Sequence, residues 1–244
     1  MTAPILKVEK LKVAYGRIEA VREVDLEIQP GEFVGIIGSN GAGKTSTLRA
    51  ISGVKAPASG SVTFRGEEIG GMPSYGVVGR GIALVPEGRM IFADQTVEDN
   101  LLLGAYLRLG KHEKELNEDR ERILEMFPVL RQRLTQPAGS LSGGEQQMLA
   151  IARGLVSRPT LLIIDELSLG LAPKILDLLF PVLSDLNKSG LSILLVEQMA
   201  SYALQVTHRT YVMENGCVLM HGKSADLARD PRVLDAYLGR HGKH

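Results

Sequence analysis

The sequence predicts an α/β fold, a mixed sheet that opens with antiparallel strands and is interrupted once by an all-helical insertion. Three observations predict it. Short β-rich runs separated by tight turns fill the first third, and strand–helix alternation returns from Leu161. Between them, residues from Thr96 to about Val156 have a helical pattern. A single domain over 1–244 is expected, with the α/β core at 1–86 and 158–244 and the helical subdomain at 87–157.

In chain order, Ile5–Val8, Leu11–Tyr15, Val24–Ile28 and Phe33–Ile37 read as strands, with Pro30-Gly31 separating the last two. Ser61–Phe64 precedes an Arg65-Gly66 turn, and Ile82–Val85 is a continuous apolar run, as in a strand covered on both faces. The charged helix around Lys111–Phe127 reads as a solvated face. Leu161–Ile164 is followed by a helix over Pro173–Leu186, expected to bend at Pro181. Its core face is read as Ile175, Leu178, Leu179, Val182, Leu183 and Leu186. Strands at Ile193–Val196, Thr210–Met213 and Val218–His221 lead to a helical tail ending near Leu238.

Composition narrows the function classes. The 28 Lys and Arg residues balance 28 Asp and Glu, which argues against non-specific nucleic-acid binding. Cys217 is the single cysteine, so no intrachain disulfide forms; a reducing compartment and a buried, unreactive thiol are expected. The polar N-terminus does not read as a signal peptide, and no run approaches the roughly 18–20 apolar residues of a membrane span. Any membrane role is therefore expected to be peripheral.

Gly38-Ser39-Asn40-Gly41-Ala42-Gly43-Lys44-Thr45 matches the phosphate-binding P-loop pattern and lies between a predicted strand and a predicted helix. The glycines let backbone N–H groups converge on phosphate oxygens, and the helix N-terminus adds partial positive charge. Lys44 is expected to reach the β- and γ-phosphates of ATP, and the Thr45 hydroxyl to ligate Mg²⁺. Ser46 completes the candidate nucleotide-binding segment. Leu161–Ile164 ends in Asp165 and Glu166, which an open α/β sheet delivers at the strand's C-terminal edge. Asp165 would hold the Mg²⁺ shell through water, and Glu166 would polarise the attacking water. The core is therefore of the P-loop NTPase type.

Leu141-Ser142-Gly143-Gly144-Glu145-Gln146-Gln147 reads locally as a capping box, Ser142 to Glu145, opening a helix with an apolar stripe at Leu149, Ala152, Leu155 and Val156. Capping alone does not require two glycines, whereas a second receptor for the γ-phosphate does.

With these three segments the chain resembles ATP-binding cassette (ABC) ATPases along nearly its whole length. The resemblance implies a head-to-tail dimer in which Ser142, Gly143, Gly144 and Glu145 complete the partner's nucleotide site. It also implies that Tyr15 stacks on adenine; the bland reading of Tyr15 is a tyrosine packed in the sheet. Val85-Pro86-Glu87-Gly88-Arg89, Ser168–Pro173, Leu195-Val196-Glu197-Gln198 and Ala236-Tyr237-Leu238-Gly239 resemble one of the two ATPases of branched-chain amino acid importers. By that resemblance Glu87, in place of the usual glutamine, links Mg²⁺ to the membrane subunits. Gln198, in place of the usual histidine, contacts the γ-phosphate; Leu167 replaces a proline.

The implied partners are a second ABC ATPase subunit (paralogue or identical chain), integral membrane permease subunits and, indirectly, an extracytoplasmic solute-binding protein. No nucleic acid is implied, and the implied place is the cytoplasmic face of the inner membrane. A soluble ABC ATPase of DNA repair or translation would carry coiled coils, tandem cassettes or basic patches that this neutral single cassette lacks. An ordinary P-loop kinase or GTPase would not explain Leu141–Gln147.

Overall fold

A computed structural model describes residues 3–110 and 113–237. Among the described residues ten strands are formed: β1 Leu6–Tyr15, β2 Ile18–Ile28, β3 Phe33–Ile37, β4 Ser59–Phe64, β5 Glu67–Glu68, β6 Ile82–Val85, β7 Leu161–Asp165, β8 Ser192–Glu197, β9 Arg209–Glu214 and β10 Cys217–Lys223. They make one mixed sheet in the order β5-β4-β1-β2-β10-β9-β3-β8-β7-β6. The N-terminal strands β1, β2, β4 and β5 pair antiparallel, whereas β9, β3, β8, β7 and β6 run parallel.

The helices are α1 Lys44–Ile51, α2 Ser74–Gly79, α3 Val97–Gly104, α4 Glu113–Met126, α5 Pro128–Arg131, α6 Gly143–Val156, α7 Pro173–Lys188, α8 Ala200–Val206, α9 Ser224–Leu227 and α10 Pro231–Tyr237. Helices α3 to α6 occupy the chain between β6 and β7. Helix α3 starts where Thr96 accepts from the Asp99 N–H at 3.0 Å and Asp99 accepts from the Thr96 N–H at 3.2 Å, a reciprocal cap. The predicted starts of the charged helix at Lys111 and ends of the tail at Leu238 and Gly239 lie outside the described residues.

Alternation along the parallel strands divides the apolar residues between two cores. Phe33 and Ile37 of β3 face the helices α3–α8, while Val34 and Ile36 face α1 and the antiparallel strands. Apolar residues on both faces of β3, β7 and β8 explain their unbroken hydrophobic runs. The insertion is not a separate unit of packing. Leu101, Leu124 and Leu149 share one core with Ile164 and Leu195 of the sheet.

Several local expectations change. The two N-terminal strands are one, β1, with register shifts after Val8 and a left-handed Lys10 (φ 48), a bulge that sequence alternation misread as a turn. Helix α7 contains Pro181, as expected, but its buried apolar face is Leu176, Leu179, Phe180 and Leu183. Leu178, predicted in the core, is 54% exposed. Cys217 is half-buried rather than buried.

Candidate nucleotide site

The phosphate-binding loop is shaped by two glycines that no other residue can replace. A Cβ on Gly38 would collide with the Met213 carbonyl oxygen. Gly43, at φ 99, is the left-handed N-cap of α1, and a Cβ there would lie 2.6 Å from the Ala20 carbonyl. No side chain caps α1, so its first N–H groups stay open to an anion. Lys44 is 4% exposed and curls back, donating to Gly38 O at 2.8 Å and Ser39 O at 3.2 Å. Its ammonium lies 3.6 Å from Glu166 Oε1.

Parallel pairing of β7 with β8, Asp165 opposite Val196, brings the acids beside this loop. Asp165 is 4% exposed, and its Oδ1 has no hydrogen-bond partner among the described residues. Burial pushes its carboxyl up to about 6; Glu166 and Glu87 reinforce the shift, and a Thr45 hydrogen bond and Lys44 oppose it. An orphaned buried oxygen beside a threonine hydroxyl and two further carboxylates fits a divalent cation sharing its shell with phosphate and water. Among the described residues no cluster of three His, Cys, Asp or Glu could hold a metal by itself. Glu166 adopts φ 50, unusual for a non-glycine residue, with its N–H donating to Val196 O at 2.9 Å.

Asn40, Gly41, Ala42, Gly43, Lys44, Thr45, Ser46, Glu87, Glu166 and Gln198 line one cavity of ≈450 Å³ at the C-terminal ends of the parallel strands. Open α/β sheets bind ligands at that end. A larger cavity of ≈770 Å³ lies at the opposite end, by Gly31, Thr160 and Ser192, and includes none of the predicted site residues. Chemistry and position single out the smaller one. Tyr15 is outside the cavity wall but beside α1, with Lys55 Nζ 5.3 Å from its ring centroid. Burial works to raise its phenol pKa, but hydrogen bonding with Ser46 and Arg49 and the charges of Arg49 and Lys55 outweigh it and lower the value. It is 38% exposed, so it is not a core tyrosine of the sheet.

Ser142, Gly143, Gly144 and Glu145 do not line this cavity. The capping box forms: Glu145 N–H donates to Ser142 Oγ at 3.4 Å, and Ser142 N–H to Glu145 Oε2 at 2.7 Å. Glu145 also pairs with Arg133 at 3.0 Å, so its carboxylate is committed to the cap. The two glycines have intramolecular neighbours. Gly144 packs on Ile175, where a Cβ would approach within 2.9 Å, and Gly143 packs under Arg89.

One residue escaped sequence reasoning. Glu197, fully buried at the end of β8, accepts from Ser168 N–H at 3.0 Å and Ser168 Oγ at 2.6 Å. It thereby ties the loop after Glu166 to the strand that Gln198 follows. Leu167, read as a substitution for proline, is itself wholly buried in the core shared with α6 and α7.

Burial pushes the Glu197 carboxyl from its ordinary 4.5 up to about 7; the Ser168 hydrogen bonds and Lys44 oppose the shift and Glu166 adds to it. A raised folded-state value means that folding favours the protonated form. The stability this group contributes is therefore full below the unfolded value and is lost as pH rises from 4.5 to about 7, by roughly 3 kcal/mol. Glu197→Gln, always neutral, should gain thermal stability relative to wild type between about pH 5 and about pH 8. A difference that stays constant across that range would contradict the assignment.

A glycine-rich phosphate cradle with a buried lysine, facing a strand that ends in two acids, defines a P-loop nucleotide-binding ATPase. Residues 21–168 match the ABC transporter family, and the chain belongs to it. It is 46% identical over 235 residues to the high-affinity branched-chain amino acid transport ATP-binding protein BraG of Pseudomonas aeruginosa, covering 96% of this chain and all of that one. It is 36% identical to the probable branched-chain amino acid transport ATP-binding protein LivF of Archaeoglobus fulgidus, covering 96% and 99%. Among solved structures it resembles the ADP conformation of the ABC transporter cassette MJ1267, with a TM-score of 0.84, 27% identity and coverage of 98% and 100%.

Proposed function

We propose that this chain drives uptake of branched-chain amino acids by hydrolysing ATP in a head-to-tail dimer docked on integral membrane permease subunits. One observation carries the reading. The cavity gathers the cradle, Glu87, Glu166 and Gln198, yet the glycine-bearing N-terminus of α6 faces elsewhere, so one chain supplies two unlike halves of a phosphate site. A second ATPase subunit, identical or paralogous, supplies Ser142, Gly143 and Gly144. The 46% identity to an amino acid transport subunit supports the solute class.

In this mechanism the α1 N-terminus and Lys44 hold the phosphates, and Gln198 donates its amide to the γ-phosphate. Thr45, Asp165 and Glu87 would hold Mg²⁺, which when bound would supply charge neutralisation for the transferring phosphoryl group. Glu166 accepts the proton of the attacking water. Tyr15 offers its ring to adenine. Among the described residues no helix is long and apolar enough to cross a membrane. Attachment at the cytoplasmic face therefore falls to the permease, which receives solute from an extracytoplasmic binding protein.

The segment between Glu87 and α3 is suited to receive the permease. Phe92 is 51% exposed, its backbone held by Asn100 at 2.9 and 3.0 Å and its ring 5.4 Å from the Arg153 guanidinium. A cavity of ≈640 Å³ lined by Tyr75 and Val78 of α2 and by Leu103, Tyr106 and Leu107 of the insertion adds exposed apolar surface where the two meet. Phe92→Asp should keep the ATPase activity of the isolated chain and abolish transport in reconstituted vesicles. Loss of the isolated activity would instead make Phe92 part of the core.

A further inference from the structure

Arg89 sits where no carboxylate answers its charge. Among the described residues it makes no ion pair; its Nη1 donates to Gln146 Oε1 at 3.3 Å, a neutral amide. Its guanidinium lies flat on Gly143. A Cβ there would stand 3.1 Å from Nη2, 3.3 Å from Nη1 and 3.4 Å from Cζ. A larger residue at 143 would require the guanidinium to shift by a few tenths of an ångström, a constraint that capping does not supply. Across the gap, Nη2 is 3.9 Å from a Cβ position on Gly170.

The backbone is held for this placement. Arg89 (φ 67) and Met90 (φ 44) are consecutive non-glycine residues in the left-handed region, following Gly88 at φ 73. Arg153 Nη2 donates to Arg89 O at 3.3 Å and Arg89 N–H to Pro86 O at 3.3 Å. A strained segment is thus pinned so as to set a cation beside the positive end of a 14-residue helix. The nearest acid on that helix, Glu145, is already taken by Ser142 and Arg133. Among the described residues the guanidinium spends one donor on Gln146 and, beside the helix N-terminus, leaves the others free for an anion.

We infer that Arg89 belongs to the phosphate receptor that this chain presents to its partner, placing a guanidinium on the γ-phosphate of the partner's ATP beside Ser142 and Gly143. The inference rests on the head-to-tail reading and adds to it a trans-acting cation. Arg89 also follows Glu87 by two residues, so movement of the permease-facing segment carries the receptor's charge with it.

The test uses full-length chains. Arg89→Ala and Arg89→Gln should bind ATP as wild type does and lose about 10²-fold in hydrolysis, the scale of one lost transition-state donor. Arg89→Lys should retain an intermediate rate. Thermal unfolding near the wild-type midpoint establishes that each variant folds. Each neutral variant is then mixed with Lys44→Ala, whose receptor is intact, and Ser142→Arg mixed with Lys44→Ala serves as the reference.

Recovery of single-turnover hydrolysis in the Arg89 mixtures, matching the reference mixture, is the expected result. Recovery in the reference alone would mean that Arg89 serves its own chain's nucleotide, and the inference falls while the dimer reading stands. Wild-type hydrolysis by Arg89→Ala would also overturn it. If mixed dimers form and neither mixture recovers, the head-to-tail reading fails and takes the inference with it.

Discussion

Lys44→Ala is expected to abolish ATP hydrolysis while leaving the fold in place. Among the described residues the ammonium is the buried cation beside Asp165 and Glu166, and it bridges the loop carbonyls of Gly38 and Ser39 to the Glu166 carboxylate. On nucleotide binding those donors can turn to the β- and γ-phosphates, where charge-assisted bonds are roughly twice as strong as neutral ones. Losing one preorganised donor typically lowers turnover 10²–10³-fold, and here the charge goes too, so a loss of about 10³-fold or more is expected. The two sheet cores do not involve the ammonium, so unfolding should remain cooperative. Phosphate release near the wild-type rate would mean that Gly38–Thr45 is not the working cradle.

Glu166→Gln is expected to separate binding from chemistry. The amide keeps the reach and hydrogen bonding of the side chain but cannot take a proton from water. Hydrolysis should fall by about 10²–10⁴-fold, ATP affinity should survive, and the ATP-bound dimer should accumulate. Loss of the Glu166 charge also removes one of the influences that raise the Asp165 and Glu197 carboxyls, so both should titrate lower in the variant. Light scattering in ATP reads the dimer and phosphate release reads the chemistry. Wild-type turnover would assign the base elsewhere, and loss of ATP binding would make Glu166 part of the cradle.

The parts of the site that sequence made legible are those where local pattern and chemistry coincide. An apolar strand, a glycine-rich turn and a helix start at Lys44 are contiguous, so Phe33–Ser46 could be read directly. Ser142 and Glu145 are three residues apart, and their reciprocal cap needs no tertiary information. Glu197 could not be read that way. Its partner Ser168 lies 29 residues earlier and meets it only because β7 and β8 pair in parallel. Arg89 and Gly143 meet across the whole insertion. Helix α7 shows another limit: apolar residues surround much of it, so periodicity admitted Leu178 to the core and omitted Leu176 and Phe180, which packing against the sheet decides. In α6 the predicted stripe is part of a wider buried surface because the helix is packed between α3 and β6.

The central claim, that two chains share each nucleotide site, is tested most directly by mixing two inactive chains. Lys44→Ala has a dead cradle and an intact Ser142–Glu145 segment. Ser142→Arg has an intact cradle and an obstructed segment. In a head-to-tail heterodimer both lesions fall on one composite site, and the other combines the good cradle of one chain with the good segment of its partner. Single-turnover ATP hydrolysis should therefore return in the mixture, to a substantial fraction of one wild-type site. If light scattering shows mixed dimers and hydrolysis stays at the level of either chain alone, Ser142 acts on its own chain's nucleotide and the shared-site account is wrong.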